Sequence, residues 1–286
     1  MITVGLTGWG DHSDLYPPGT PARKKLAMYA RHFPVVEVDS SFYAILGEDT
    51  YRRWLNETPS HFHFILKAYQ GMTGHSRGKN PYEGPGEMFQ AYLDSIAPVV
   101  ECGRLKAIMF QFPPWFDCNS DHVRQLRAIK KWMGDLPLAL EFRNQSWFAP
   151  ETREGTLSFM REEGWIHIVC DEPQTGQGSV PIVLEPTHSE LTLVRLHGRN
   201  AEGWSQASAE NWREIRTLYR YNTEELREWA DHLSVLKSKG AKEICMIFNN
   251  NSGGDAASNA KEMEMILGKT PVNLPPKQIE LFGFEE

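Results

Sequence analysis

The side chains of this sequence best suited to chemistry are seven polar groups at the ends of apolar runs: Glu37, Lys67, Glu141, Arg143, Arg195, His197 and Asn249. The two glutamates are candidates for general acid and base, since a carboxyl group can give or take a proton. Lys67, Arg143 and Arg195, together with His197, suit an anion such as a phosphate or carboxylate, because a guanidinium offers paired donors that match two oxygens. Around them stand groups suited to touching a substrate: Trp9, Asp39, Ser41, Tyr43, Gln111, Trp147, Asp171 and Asn250. Tryptophan at such positions stacks on a sugar ring or a base. Each residue alone also has a plainer explanation. His197 would serve as a core histidine, Glu141 and Arg143 as a rim ion pair, Lys67 as a side chain reaching for water, Trp147 as packing and Asn250 as a turn residue. Recurrence at one end of many strands is what favours a site.

The elements that must position these groups follow from periodicity. In Val35-Val36-Glu37-Val38-Asp39-Ser40-Ser41 a period of two puts Glu37, Asp39 and Ser41 on one face, and Val36 and Val38 on the other. Eight such runs alternate with mostly helical stretches along the chain. They end at Trp9, Ser41, Lys67, Gln111, Arg143, Asp171, His197 and Asn249, and their polar residues share one phase. Eight strands and their helices in this length predict an α/β fold, a single (β/α)8 TIM barrel over residues 1–270. Long loops are expected after strands 3 and 7, and the polar groups gather at the C-terminal mouth. A doubly wound sheet is disfavoured, because Gly8-Trp9-Gly10 is too short for a phosphate-binding glycine fingerprint.

Composition narrows the function further. Lys+Arg 30 against Asp+Glu 37 gives a net charge of -7, which excludes a general attraction to nucleic acid or anionic membrane but leaves room for a local basic cleft. The four cysteines, Cys102, Cys118, Cys170 and Cys245, lie too far apart for a paired metal motif. No cofactor is expected, and a divalent metal is the lesser expectation, because only His197 among the histidines falls at a strand end. Separated thiols, no leader segment and no long apolar span predict a cytoplasmic protein with no membrane partner.

Several longer motifs carry a resemblance. Gly8-Trp9, Tyr16-Pro17, Glu37-Val38-Asp39-Ser40-Ser41-Phe42-Tyr43, Gln111-Phe112-Pro113, Glu141-Phe142-Arg143 with Ser146-Trp147, Arg195-Leu196-His197-Gly198 and Phe248-Asn249-Asn250 occur in order. With them the chain resembles the YecE-like family, catalogued as domain of unknown function 72, from residue 1 to about 267. The resemblance implies a TIM barrel and brings no established reaction. Ser41 stands where that family often has Thr, which keeps the hydroxyl.

Residues 271–286 read as a Pro-containing linker and a tail peptide. Gln278-Ile279-Glu280-Leu281-Phe282 resembles the peptide by which bacterial polymerases and repair proteins bind the DNA sliding clamp. Gln278 would take the polar subsite, and Leu281 and Phe282 the apolar pocket, a short-motif mode of recognition. Packing of the same side chains on the barrel is the other reading. The expected function is an enzyme, a hydrolase of phosphate esters, acting on a small anionic, nucleotide or nucleic-acid substrate. The alternatives are a sugar isomerase or glycoside-processing barrel with paired carboxylates, and a non-catalytic adaptor that binds a ligand.

Overall fold

Eight parallel strands close on themselves in chain order, with β8 paired back to β1, in a computed structural model that describes residues 1–76, 81–176, 178–205 and 215–270. The strands are β1 (Ile2–Thr7), β2 (Val35–Val38), β3 (His63–Lys67), β4 (Leu105–Gln111), β5 (Leu138–Glu141), β6 (Ile166–Asp171), β7 (Leu191–Leu196) and β8 (Glu243–Phe248). The helices are α1 (Ala22–Tyr29), α2 (Ser40–Tyr43), α3 (Glu48–Glu57), α4 (Pro85–Glu101), α5 (Ser120–Met133), α6 (Arg153–Glu162), α7 (Ala201–Ser205), α8 (Thr223–Ser238) and α9 (Ala256–Ile266). This is the (β/α)8 barrel that the strand count predicts. As expected, no helix occupies the described part of the connection between β6 and β7. None of the described helices is long and apolar enough to cross a membrane.

Local chemistry explains where the helices sit. The Asn119 side chain accepts from the backbone N–H groups of Asp121 and His122 and starts α5, while Gly134, at φ 60°, follows its last turn. Leu126, Ile129 and Met133, at helical spacing, face the barrel. Asn222 and Glu225 form a reciprocal cap on α8, whose Leu226, Trp229, Leu233 and Leu236 are buried. Truncating one such leucine to alanine costs about 2–5 kcal/mol.

Strand alternation divides the barrel cleanly. Ile244, Met246 and Phe248 of β8 point out toward the helices, with Phe248 meeting Tyr221 edge-on at 6.2 Å. β1 and β2 approach so closely that a Cβ on Gly5 would lie 2.4 Å from the Val35 carbonyl oxygen, so only glycine fits there. At the N-terminal end, Lys106 of β4 and Glu243 of β8 form a 2.6 Å ion pair.

Two sequence expectations change. The chain leaves the strand at Val38 and turns into α2, so the period of two does not carry through to Ser41. The polar insert after β7 contains α7, set by no apolar period, and residues 206–214 lie outside the described residues. So does the tail, 271–286, with Gln278, Leu281 and Phe282.

Candidate functional site

The C-terminal ends of β2, β5, β6 and β7 deliver five charged side chains that form one line. Arg195 grips Glu37 with two parallel bonds, Nε to Oε2 at 2.7 Å and Nη2 to Oε1 at 2.6 Å. Its third nitrogen, Nη1, reaches Glu141 Oε2 at 2.5 Å. Arg143 takes the other Glu141 oxygen through Nη2 at 2.7 Å and Glu172 Oε2 through Nη1 at 2.5 Å. Thr7 and Gln111 donate to the outer oxygens, at 3.2 Å to Glu37 Oε1 and 2.8 Å to Glu141 Oε1. Glu37 and Glu141 are 0% exposed. Buried charges persist only with such pairing, since removing one partner leaves an uncompensated charge at a cost of several kcal/mol.

His197 caps the line just past β7. Its Nε2 lies 3.1 Å from Arg143 Nη2 and 3.4 Å from Glu141 Oε1, and its Nδ1 lies 2.8 Å from the Asn249 side-chain amide. A guanidinium nitrogen can only donate, so the Arg143 contact requires a lone pair on Nε2. The Asn249 atom placed 2.8 Å from Nδ1 is the amide nitrogen. A neutral ring accepts at one nitrogen only, so with Arg143 on Nε2 the ring proton belongs on Nδ1, and the Asn249 amide must turn its oxygen to receive it. Gly198, at φ 88°, turns the chain immediately afterwards, where a Cβ would strike Tyr219 at 2.4 Å.

Titration follows from this geometry. Burial would raise the Glu141 carboxyl, but Arg195 and then Arg143 hold it well below the usual carboxylate range. Burial raises Glu37, opposed by Arg195 on both of its oxygens. Burial, with Glu141 close by, pushes Glu172 up to about 7 against the pull of Arg143. Burial and then the Arg143 charge keep His197 neutral, well below the ordinary histidine value. Three carboxyls against two guanidiniums leave one excess negative charge when all ionise, and Glu172 is the carboxyl positioned to relieve it.

Above the line lies the rim. Lys67 Nζ stands 3.2 Å from Asp39 Oδ1 and 4.8 Å over the Phe42 ring. On the opposite side Trp204 lies between Arg216, at 3.9 Å from its ring, and Arg143, at 5.0 Å. His75 packs between Phe42 and Trp115, at 5.1 Å and 6.0 Å. Burial, then Lys67 and Arg143, lower His75 to about 4; burial and Arg143 lower Arg216 to about 9.

The structure brings together Glu37, Lys67, Glu141, Arg143, Arg195, His197 and Asn249, with Asp39, Gln111 and Tyr43 at or near the rim. Trp9 stands at the β1 end, edge-on to Trp54 at 5.1 Å. The remaining candidates hold the scaffold. Ser41 Oγ donates to the backbone oxygens of Val38 and Lys67, at 3.0 Å and 2.7 Å. Trp147 stacks on Phe142 at 4.1 Å and donates to Phe116 O, away from the opening. Asn250 bonds Tyr219 O and Asn259 Oδ1, both at 2.9 Å.

Asp171 departs from the shared phase. It faces α8, accepting from Trp229 Nε1 at 2.8 Å and pairing with Arg199 at 3.0 Å. Cys170 is the inward residue of β6, so the in-phase acid is Glu172, one position later. Counting by twos from Cys170 would have found it. Arg216 and His75 carried no strand signal, although His75 lies in the long loop that follows β3.

Metal binding can be weighed on the donors. Among the described residues, Glu141, Cys170 and His197 place ligand atoms within 4.8 Å of one another. The Glu141 oxygens, however, are held by Arg195, Arg143 and Gln111. Burial, with Glu141 and Glu172 nearby, raises the Cys170 thiol well above its ordinary value, whereas a metal requires the thiolate. These residues do not fit a divalent cation.

Known proteins resemble this chain. The UPF0759 protein YunF of Bacillus subtilis is 54% identical over 283 residues, 99% of this chain and 100% of the relative. The UPF0759 protein YecE of Escherichia coli is 26% identical over 195 residues, 66% of this chain and 64% of its own length. A crystal structure of a DUF72 family protein from Enterococcus faecalis superposes with a TM-score of 0.89 at 38% identity, covering 98% of this chain and 100% of that one. The sequence profile described as "Protein of unknown function DUF72" matches residues 3–280, a span that includes nearly all of the barrel: the chain belongs to the DUF72 family.

Proposed function

We propose that the protein is an enzyme that binds a small phosphate-bearing molecule at the barrel mouth and hydrolyses its phosphate ester. The observation that carries this reading is the division of charge by depth. Glu37, Glu141 and Glu172 are fully turned inside, each against a guanidinium, while Lys67 and Arg216, half-buried, lie beside Phe42 and Trp204 at the rim. Asp39 is the acid that shares the opening, and an incoming anion would take its place on Lys67. Phosphoryl chemistry rests on positioning and electrostatics, which a rigid cationic rim supplies.

In this reading Glu37 and Glu141 position Arg195 and Arg143, because their oxygens are already engaged and no solvent reaches them. Direct contact with the ligand falls to Lys67, Gln111, Asn249 and Arg216. A required divalent metal has no place in it, for the reasons of donor chemistry given above. A glycoside-processing pair gains nothing, since the Arg195 guanidinium fills the space between Glu37 and Glu141 where a scissile bond would have to sit. Calorimetric titration with ribose 5-phosphate at low salt, alongside phosphate release from p-nitrophenyl phosphate, tests the proposal. Binding weakened at least about tenfold by Lys67→Ala is the expected result. Neither binding nor release in the parent would sink it.

A separate reading concerns the tail, where Gln278, Leu281 and Phe282 follow a Pro-containing linker as a sliding-clamp-binding peptide. What supports this reading is the order and spacing of Gln278, Leu281 and Phe282 behind that linker. Replacing Leu281 and Phe282 with alanine should abolish binding to a purified bacterial clamp, and unchanged binding would refute the assignment.

A further inference from the structure

The rim formed by the loops after β2, β3 and β4 carries a continuous run of rings: Tyr43, Phe42, His75 and Trp115, with successive centroids 5.2, 5.1 and 6.0 Å apart. Its two ends are open to solvent, Tyr43 at 55% and Trp115 at 56%. Scattered exposed aromatics need no explanation, but the backbone on either side of Trp115 is also held. Pro113 and Pro114 precede it and fix their own backbone φ angles. Pro114 O accepts from Asn144 Nδ2 at 2.6 Å, and the following Phe116 is tied by its N–H to Pro113 O at 3.0 Å and by its carbonyl to Trp147 Nε1 at 2.8 Å. A large ring presented to water on a backbone pinned at both sides loses little freedom when something stacks on it.

The run also meets a cation, since Lys67 Nζ lies 4.8 Å over Phe42. His75, lowered to about 4 by burial and the neighbouring cations, is a neutral ring near pH 7 and belongs to the aromatic wall rather than the charged one. We propose that this rim is a nucleobase platform, so that the ligand of the mouth is a nucleotide whose phosphate meets Lys67 while its base stacks on Trp115. This deepens the phosphate-ester reading and rests on it for the position of the phosphate. The base is chosen over a second sugar because every base offers a π-face to an indole on a pinned backbone, with a gain of about 5- to 150-fold in affinity.

Calorimetry on the full chain with AMP, ribose 5-phosphate and adenosine tests the platform. AMP should bind at least about fivefold tighter than ribose 5-phosphate. Trp115→Ala should bring AMP to within about twofold of ribose 5-phosphate while leaving ribose 5-phosphate unchanged, a pattern that a folding defect would not give. Equal affinities of AMP and ribose 5-phosphate in the parent, or an equal loss of both in Trp115→Ala, overturns the platform and leaves the phosphate reading standing. Adenosine binding as tightly as AMP, with ribose 5-phosphate silent, supports the platform and removes the phosphate reading. Silence of all three probes overturns both.

Discussion

The two ends of the barrel solve the same problem of charge in opposite ways. At the N-terminal end Lys106 and Glu243 make one pair, balanced one to one, with side chains 16% and 19% exposed. At the C-terminal end five charged groups share contacts, three acids against two guanidiniums, and at least Glu37, Glu141 and Glu172 have side chains with 0% exposure. A part-buried pair keeps some contact with solvent as well as with its partner; a dry chain of charges has only its own members. The lesson is that the mouth is kept charged at a cost that the other end avoids, which is the usual division in this fold between the functional and the supporting face.

The contrast is broken most directly by removing its centre. Arg195→Met leaves Glu37 and Glu141 buried against fewer cations, and denaturant unfolding should show a loss of about 3–5 kcal/mol. A loss under 1 kcal/mol would mean that the line is not a network.

Glu172→Gln gives the next largest effect, and it depends on pH. Because burial raises this carboxyl from 4.5 to about 7, its protonated form favours the folded state. The stability it contributes is complete below about pH 4.5 and is lost as pH rises through about 7. The parent's unfolding free energy should therefore fall relative to that of Glu172→Gln across this window, by at most about 3 kcal/mol. Parallel pH curves for the two proteins would remove Glu172 as the titrating member.

At the other end, Lys106→Met leaves the part-buried Glu243 without its cation and should cost roughly 1–3 kcal/mol, with little dependence on anything at the mouth. The smallest effect sharpens the picture around His197. Nitrogen chemical shifts should place its proton on Nδ1, and Asn249→Ala should cost about 1 kcal/mol while letting the other tautomer appear. A proton found on Nε2 in the parent would reverse the assignment of donors.

Much of this was legible in the sequence, for a specific reason. Glu37, Glu141 and Arg195 lie within regular strand, where a period of two fixes the face. The same rule fails where the strand ends early, as at Ser41 in α2, or where the phase was counted from the wrong residue, as at Asp171 in place of Glu172. Partner choice was beyond it altogether. Glu37 and Arg195 stand 158 residues apart, and only closure of the barrel brings them together. Trp147 shows the remaining gap: its type suits a binding wall, but a stack with Phe142 and Phe116 claims it for the core.

The shared guanidinium has a consequence for how the chain assembles. The last four strands and their loops bring Glu141, Arg143, Glu172 and Arg195, a set that neutralises itself and leaves one edge of Arg195, Nε and Nη2, without a carboxylate. The first four bring Glu37, whose guanidinium partner arrives only with β7. The barrel therefore has a half that can settle its own electrostatics and a half that waits, and the two-pronged grip on Glu37 acts as a key checked when they meet. Contacts this distant in sequence form late, after the entropy of closing the intervening loop has been overcome. A misregistered docking of β2 by one residue would present Val36 or Val38 to that open edge, and the unmatched guanidinium would reject it.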